Sequence, residues 1–181
     1  SSAVRGKYPE IRILESVDYA VTNNMYSAYL ARETMAGEAF LMMNADVFFD
    51  ASVIRDLLDC PYSNAVTVDV GRYMEESMKV SEREGKLTAI SKTVPPEQAL
   101  GCSIDVYKFS ADAAREFFSR CSEYIDARND RRLWSEVALH DILAEVEFHA
   151  CPLRGRWMEI DTPEDLLAAQ KLFFAESDEV R

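Results

Sequence analysis

Two aspartates stand where a β-rich run gives out. Asp46 closes AFLMMNAD, a continuous apolar stretch of strand length that turns abruptly polar at Asn44, as a strand buried on both faces does at the end of its sheet. Asp161 follows the β-rich RWMEI. It precedes Thr162-Pro163-Glu164-Asp165, which gives the N-cap, N1 proline and acidic first turn of a helix start. In open α/β sheets ligands lie beyond the carboxyl ends of strands, so two carboxylates there can share a divalent cation. Each also has a local alternative: Asp46 can cap the turn before the next helix, and Asp161 can stabilise the helix that follows it. Other chemistries find less to work with. His140 lies mid-helix and His149 in a strand, with no GxSxG serine to serve, and neither GxGxxG nor a Walker-type glycine loop occurs.

The elements that must position these aspartates alternate between short β-rich runs and helical stretches, the signature of an α/β layer fold. IRIL (11–14) predicts a first strand, and the segment from Ser27 to about Met35 a helix. Asp50 is the expected N-cap of ASVIRDLL, whose Val53, Ile54, Leu57 and Leu58 share one helical face. NAVTVDV predicts another strand, MKVSEREGKLTAIS a hairpin turning at Glu84-Gly85, and GCSIDVYKF a further strand. Ser110 caps ADAAREFFSRC, and LWSEVALHDILAE is a second long helix. EFHACPL and RWMEI close the sheet before a final helix through LLAAQKLFF.

Composition narrows the partners. The chain has 181 residues, 48% of them apolar, which suits one domain over residues 1–181. A net charge of -12 repels phosphate backbones and anionic headgroups, so neither nucleic acid nor a membrane surface is an expected partner. Four scattered cysteines make no CxxC or Cys/His cluster, and no apolar run approaches the ~20 residues of a bilayer span. A cytoplasmic protein with reduced thiols is expected.

VTNNMYSAYLARE followed by FLMMNADVFFD resembles the GT-A-type nucleotidyltransferase family, most closely its small-phosphate cytidylyltransferases, phosphocholine cytidylyltransferase among them. EESMKV, GKLTAISK, ALGCSIDVYKFSADAA and WMEIDTPEDLLAAQ continue the family's order of motifs through about residues 8 to 175. The resemblance implies a Rossmann-like α/β fold with a mixed, mainly parallel sheet flanked by helices. It departs from the family at the start: the N-terminal strand and the glycine-rich, Arg- and Lys-bearing loop that wraps the triphosphate have no counterpart here. The 181 residues thus correspond to the C-terminal two-thirds of the domain and are expected to be inactive alone. A missing N-terminal segment or a homodimer is the expected complement.

By resemblance, the activity is transfer of a nucleotide, CMP from CTP favoured, onto a small phosphorylated molecule, with release of pyrophosphate. Asp46 and Asp161 become the catalytic ligands of Mg²⁺, and Glu159, two residues before Asp161 on the same face of a strand, a further ligand or neighbour. Asn24 and Ser27 match the family's base and ribose site, with helix capping as the alternative. Gly101 matches a close approach of backbone to acceptor, with a strand bulge as the alternative. Tyr107, Trp134, Glu136 and Trp157 fall around the acceptor pocket, where aromatic faces and a carboxylate suit the ammonium of phosphocholine or an aminoalkyl phosphate or phosphonate. Core packing is the rival account of the aromatic rings. A sugar- or polyol-phosphate acceptor is the alternative substrate. A catalytically silent regulatory subunit is the alternative of another class, disfavoured by retention of both aspartates. A glycosyltransferase would carry DxD where this chain has Asn44-Ala45-Asp46.

Overall fold

The sheet is organised around one long strand that changes neighbours halfway along. The computed structural model describes residues 2–174, beginning with α1 (Ser2–Lys7), α2 (Asn24–Tyr29) and α3 (Arg32–Met35). β1 (Phe40–Met43), β2 (Val47–Phe49), α4 (Ser52–Asp59), β3 (Ala65–Val70) and the β4 (Lys79–Arg83)/β5 (Lys86–Ser91) hairpin follow. Then come β6 (Gly101–Phe109), α5 (Ala111–Ser122), α6 (Ser135–Ile142), β7 (His149–Pro152), β8 (Trp157–Glu159) and α7 (Pro163–Phe174).

β6 pairs along its length with β3, while its other edge is shared: Gly101 and Cys102 pair with β4, and Val106 to Phe109 pair with β1. Between the two partners lies Asp105, whose φ of 57° is in the left-handed region that non-glycine residues seldom occupy. The β3–β6 register shifts at the same level, between Val66 and Val68. β4 and β1 therefore leave a gap beside Ser103 to Asp105, with backbone bonds at its rims from Ser103 N to Met78 O (2.7 Å) and from Asn44 N to Asp105 O (3.1 Å). That gap is where a ligand can enter.

Side chains alternate across the sheet. Val66, Val68, Tyr107 and Phe109 pack on one face with Met25, Tyr29, Phe117, Leu139 and Ile142, beneath α2, α5 and α6. Ala65, Ile104 and Val106 pack on the other with Val53 and Leu57 of α4. The result is a three-layer α/β arrangement, built from helices whose apolar stripes the sequence displays.

Several expectations hold. The hairpin turns at Glu84 and Gly85, both at positive φ. Ser110 caps α5 by accepting from Ala113 N, and Thr162 with Asp165 forms a reciprocal box at the start of α7. Others do not. The sheet is mixed, but among the described residues only the β3–β7 ladder pairs in parallel, so "mainly parallel" is corrected for the paired neighbours. β6 runs against each of β1, β3 and β4, and the β4/β5 hairpin adds another antiparallel pair. β1 is half-buried rather than enclosed on both faces. IRIL forms no strand, and the segment up to Met35 breaks into α2 and α3. Asp50 does not cap α4 with its side chain; Arg156 occupies it. No helix among the described residues is long and apolar enough to cross a membrane.

Candidate active site

β2 and β8 form a two-stranded ribbon apart from the main sheet, with Val47 opposite Glu159. Ile160 N donates to Asp46 O at 2.8 Å, which extends the pairing by one step and carries Asp46 and Asp161 to the same end. Carboxylate oxygens of Asp46, Glu159 and Asp161 consequently lie within 4.8 Å of one another. Burial, then the charges of Asp161 and Asp46, push the Glu159 carboxyl above its usual range. Three hard oxygen donors in mutual repulsion fit Mg²⁺, which prefers a few carboxylates and completes its shell with water or phosphate.

The cluster borders a cavity of about 520 Å³ in the gap between β1 and β4. Asp46, Glu159, Asn24, Ser27, Trp134, Glu136 and Trp157 all line it. Asn24 does more than face it: its Oδ1 accepts from Ser135 N at 2.8 Å, at the start of α6, whereas the cap of its own helix α2 is Asn23. Trp157 donates its indole N–H to Asp69 Oδ2 at 2.9 Å, fixing the ring as a wall. Trp134 is a more open ring with the Lys92 ammonium 4.9 Å from its centre.

Three of the residues singled out are not cavity-lining: Asp161, which stands in the acidic cluster at the border, Tyr107 and Gly101. Tyr107 is fully buried beneath the floor, its hydroxyl between Asp105 and Glu136. Gly101 lies outside the cavity. A Cβ there would stand 2.3 Å from Asp69 O, so the close approach that requires glycine is that of β3, not of an acceptor.

Other residues escaped the sequence reading. Lys92 is the one cationic side chain among the lining residues, set against carboxylates of Asp46, Glu76, Asp105, Glu136 and Glu159. It follows β5 directly, and only the fold of that hairpin against α6 brings it in. Asp105 hides within an otherwise apolar strand, GCSIDVYKF, where its charge was the available signal. Asn23, Asn44, Ser77 and Ser103 add amides and hydroxyls to the lining.

No protein-family model and no curated protein sequence matches the chain. Solved structures do. The CTP:phosphocholine cytidylyltransferase of Streptococcus pneumoniae superposes with a TM-score of 0.71 at 19% identity, over 94% of this chain and 72% of that one. The inositol-1-phosphate CTP transferase of T. maritima gives 0.71 at 17% identity, over 91% and 66%. A UDP-glucose pyrophosphorylase bound to UDP-glucose gives 0.68 at 15% identity, over 96% and 70%. The chain has the nucleotidyltransferase fold. It spans between 66% and 72% of the lengths of these nucleotidyltransferases, and in this nucleotidyltransferase fold the ribbon and the split strand β6 bring the carboxylates to the cavity.

Proposed function

We propose that the chain carries the metal and acceptor sites of a nucleotidyltransferase that joins CMP to a small phosphate ester, releasing pyrophosphate. The observation that carries this reading is the Asp46–Glu159–Asp161 cluster bordering a cavity with a single ammonium, Lys92. Asp46, Glu159 and Asp161 would hold Mg²⁺, which supplies neutralisation of phosphate charge when bound. The acceptor's phosphate oxygen attacks the α-phosphorus and pyrophosphate departs. A phosphate monoester is already anionic near neutral pH, so no general base is needed, in keeping with a cavity lined by no histidine. Lys92 holds the acceptor phosphate as a point charge. Asn24 and Ser27 face the nucleoside. Trp134, Trp157 and Glu136 take a cationic headgroup such as choline or an aminoalkyl group.

A sugar- or polyol-phosphate acceptor is the second reading, favoured by the amides and hydroxyls of Asn23, Asn44, Ser77 and Ser103 around the same space. Calorimetric titration of the chain with CDP-choline, CDP-inositol and UDP-glucose, with and without Mg²⁺, separates the two. Mg²⁺-dependent binding led by CDP-choline supports the first. Preference for either hydroxylated conjugate supports the second, and absence of Mg²⁺-dependent binding to all three would reject both.

A further inference from the structure

The cavity floor holds three oxygens in a row with too few hydrogens. Tyr107 Oη lies 2.7 Å from Asp105 Oδ1 and 2.9 Å from Glu136 Oε1. A phenol has one hydrogen, so it can donate to only one of the two carboxyls. Ser103 offers no remedy at Glu136: its hydroxyl reaches Asp105 Oδ1 (3.2 Å) and Tyr107 Oη (3.4 Å), and accepts from Asp105 N. Asn44 Nδ2 donates to the other Asp105 oxygen at 3.0 Å. The row closes when one carboxyl carries a proton. Glu136, only 2% exposed, leaves its second oxygen without a partner, as does Ser77 Oγ, and both residues line the cavity. An unpartnered buried carboxylate oxygen calls for a donor or a cation.

We propose that Asp105, Tyr107 and Glu136 form one cation-selecting unit, which shares a proton while no cation is bound and gives up that proton to solvent when an ammonium headgroup enters. The unit deepens the phosphocholine-like reading of the same cavity and makes Asp105, fixed by its left-handed backbone, a specificity-determining residue. Burial, then the charge of Glu136, pushes the Asp105 carboxyl up to about 7, so the exchange falls in the physiological range. The other charged groups facing the pair are Glu159 on β8, Asp46 after β1, Glu76 before β4 and Lys92 after β5. Acids outnumber the one base, so the surrounding field favours a positive occupant, proton or headgroup. A neutral polyol meets the protonated form instead and displaces nothing.

The test is a ¹³C-carboxyl NMR titration of the free protein, repeated with choline and with glycerol, and in Glu136→Gln. One carboxyl of the pair should titrate near 7. Choline should lower that midpoint by half a pH unit or more, glycerol should leave it in place, and Glu136→Gln should lower the Asp105 midpoint by at least one unit. Titration of both carboxyls in the ordinary acid range overturns the shared proton. A midpoint near 7 that ignores choline overturns the exchange, and one unchanged in Glu136→Gln overturns the coupling. None of these measurements involves a nucleotide, so Mg²⁺-dependent nucleotide binding can stand or fall separately.

Discussion

Asp50 and Arg156 form a forked pair: Oδ1 accepts from Nη2 at 3.0 Å, and Oδ2 from Nε at 3.1 Å and from the backbone N–H at 2.8 Å. The pair joins the end of β2 to the start of β8, so it sets the register in which Asp46 meets Glu159. Asp50→Ala removes no metal ligand, yet should weaken Mg²⁺ binding by roughly tenfold, as loss of an outer orienting group does. Mn²⁺ binding followed by electron paramagnetic resonance measures this. Unchanged affinity would detach the pair from the metal site.

Asp46→Asn and Asp161→Asn each remove a ligand. In the parent chain, Mg²⁺ at a hundred times its Kd should stabilise by about 2.7 kcal/mol, raising Tm by several degrees. Either variant should lose that rise while unfolding near the parent's metal-free Tm. A rise that survives in both variants would place the ion elsewhere.

Stability should fall as pH climbs through neutrality. Asp105 has a folded-state value near 7, above its ordinary 3.8. The native state therefore binds the extra proton between about pH 4 and 7, and stability declines across that window by an amount on the order of a few kcal/mol. Asp50, Glu123, Glu147 and Asp165 are held below their usual range by hydrogen bonds, chiefly from arginine, lysine or threonine. Their contribution is present above that usual range and lost as pH falls through it. Maximal Tm is thus expected near pH 5, and Asp105→Asn should flatten the decline from pH 5 to 8. A Tm that rises across that interval would contradict the assignment.

Gly101→Ala should destabilise by about 1–3 kcal/mol, since the new methyl meets backbone rather than a yielding side chain. The atom it strikes belongs to Asp69, which also anchors Trp157. Thermal unfolding reads the first effect, and a shift in tryptophan emission the second.

Much of this was legible in the sequence because it rests on local rules. The β-rich runs of β3 and β6, the Ser110 cap and the Thr162-to-Asp165 helix start require no knowledge of distant contacts. Asp46 and Asp161 were singled out because each sits at a strand end, and Glu159 because it lies two residues before Asp161 on one face of a strand; the structure brings the three together. What was missed depends on tertiary pairing: Lys92 enters the cavity only through the packing of a hairpin, and Asp50 was read as a cap because Arg156 is distant in sequence. Tyr107 was assigned to the pocket wall by resemblance, which gives a strand but not a depth, and the structure buries it beneath the floor. IRIL has β-prone residues, yet in the described chain no neighbouring strand pairs with it, and propensity without a partner makes no strand.

The ribbon of β2 and β8 shares no ladder with the main sheet. Opening it leaves the main ladder intact and loosens only the half-buried Phe49 and Trp157 from the core, so its amides should exchange with deuterium well before those of β3 and β6. Lys92, Glu136 and Asp105 sit on or beside the slowly exchanging body, whereas the metal ligands belong to the ribbon. An ion bridging Asp46 and Asp161 would then act as a clasp, delaying exchange in the ribbon while leaving the rest of the molecule at its own pace.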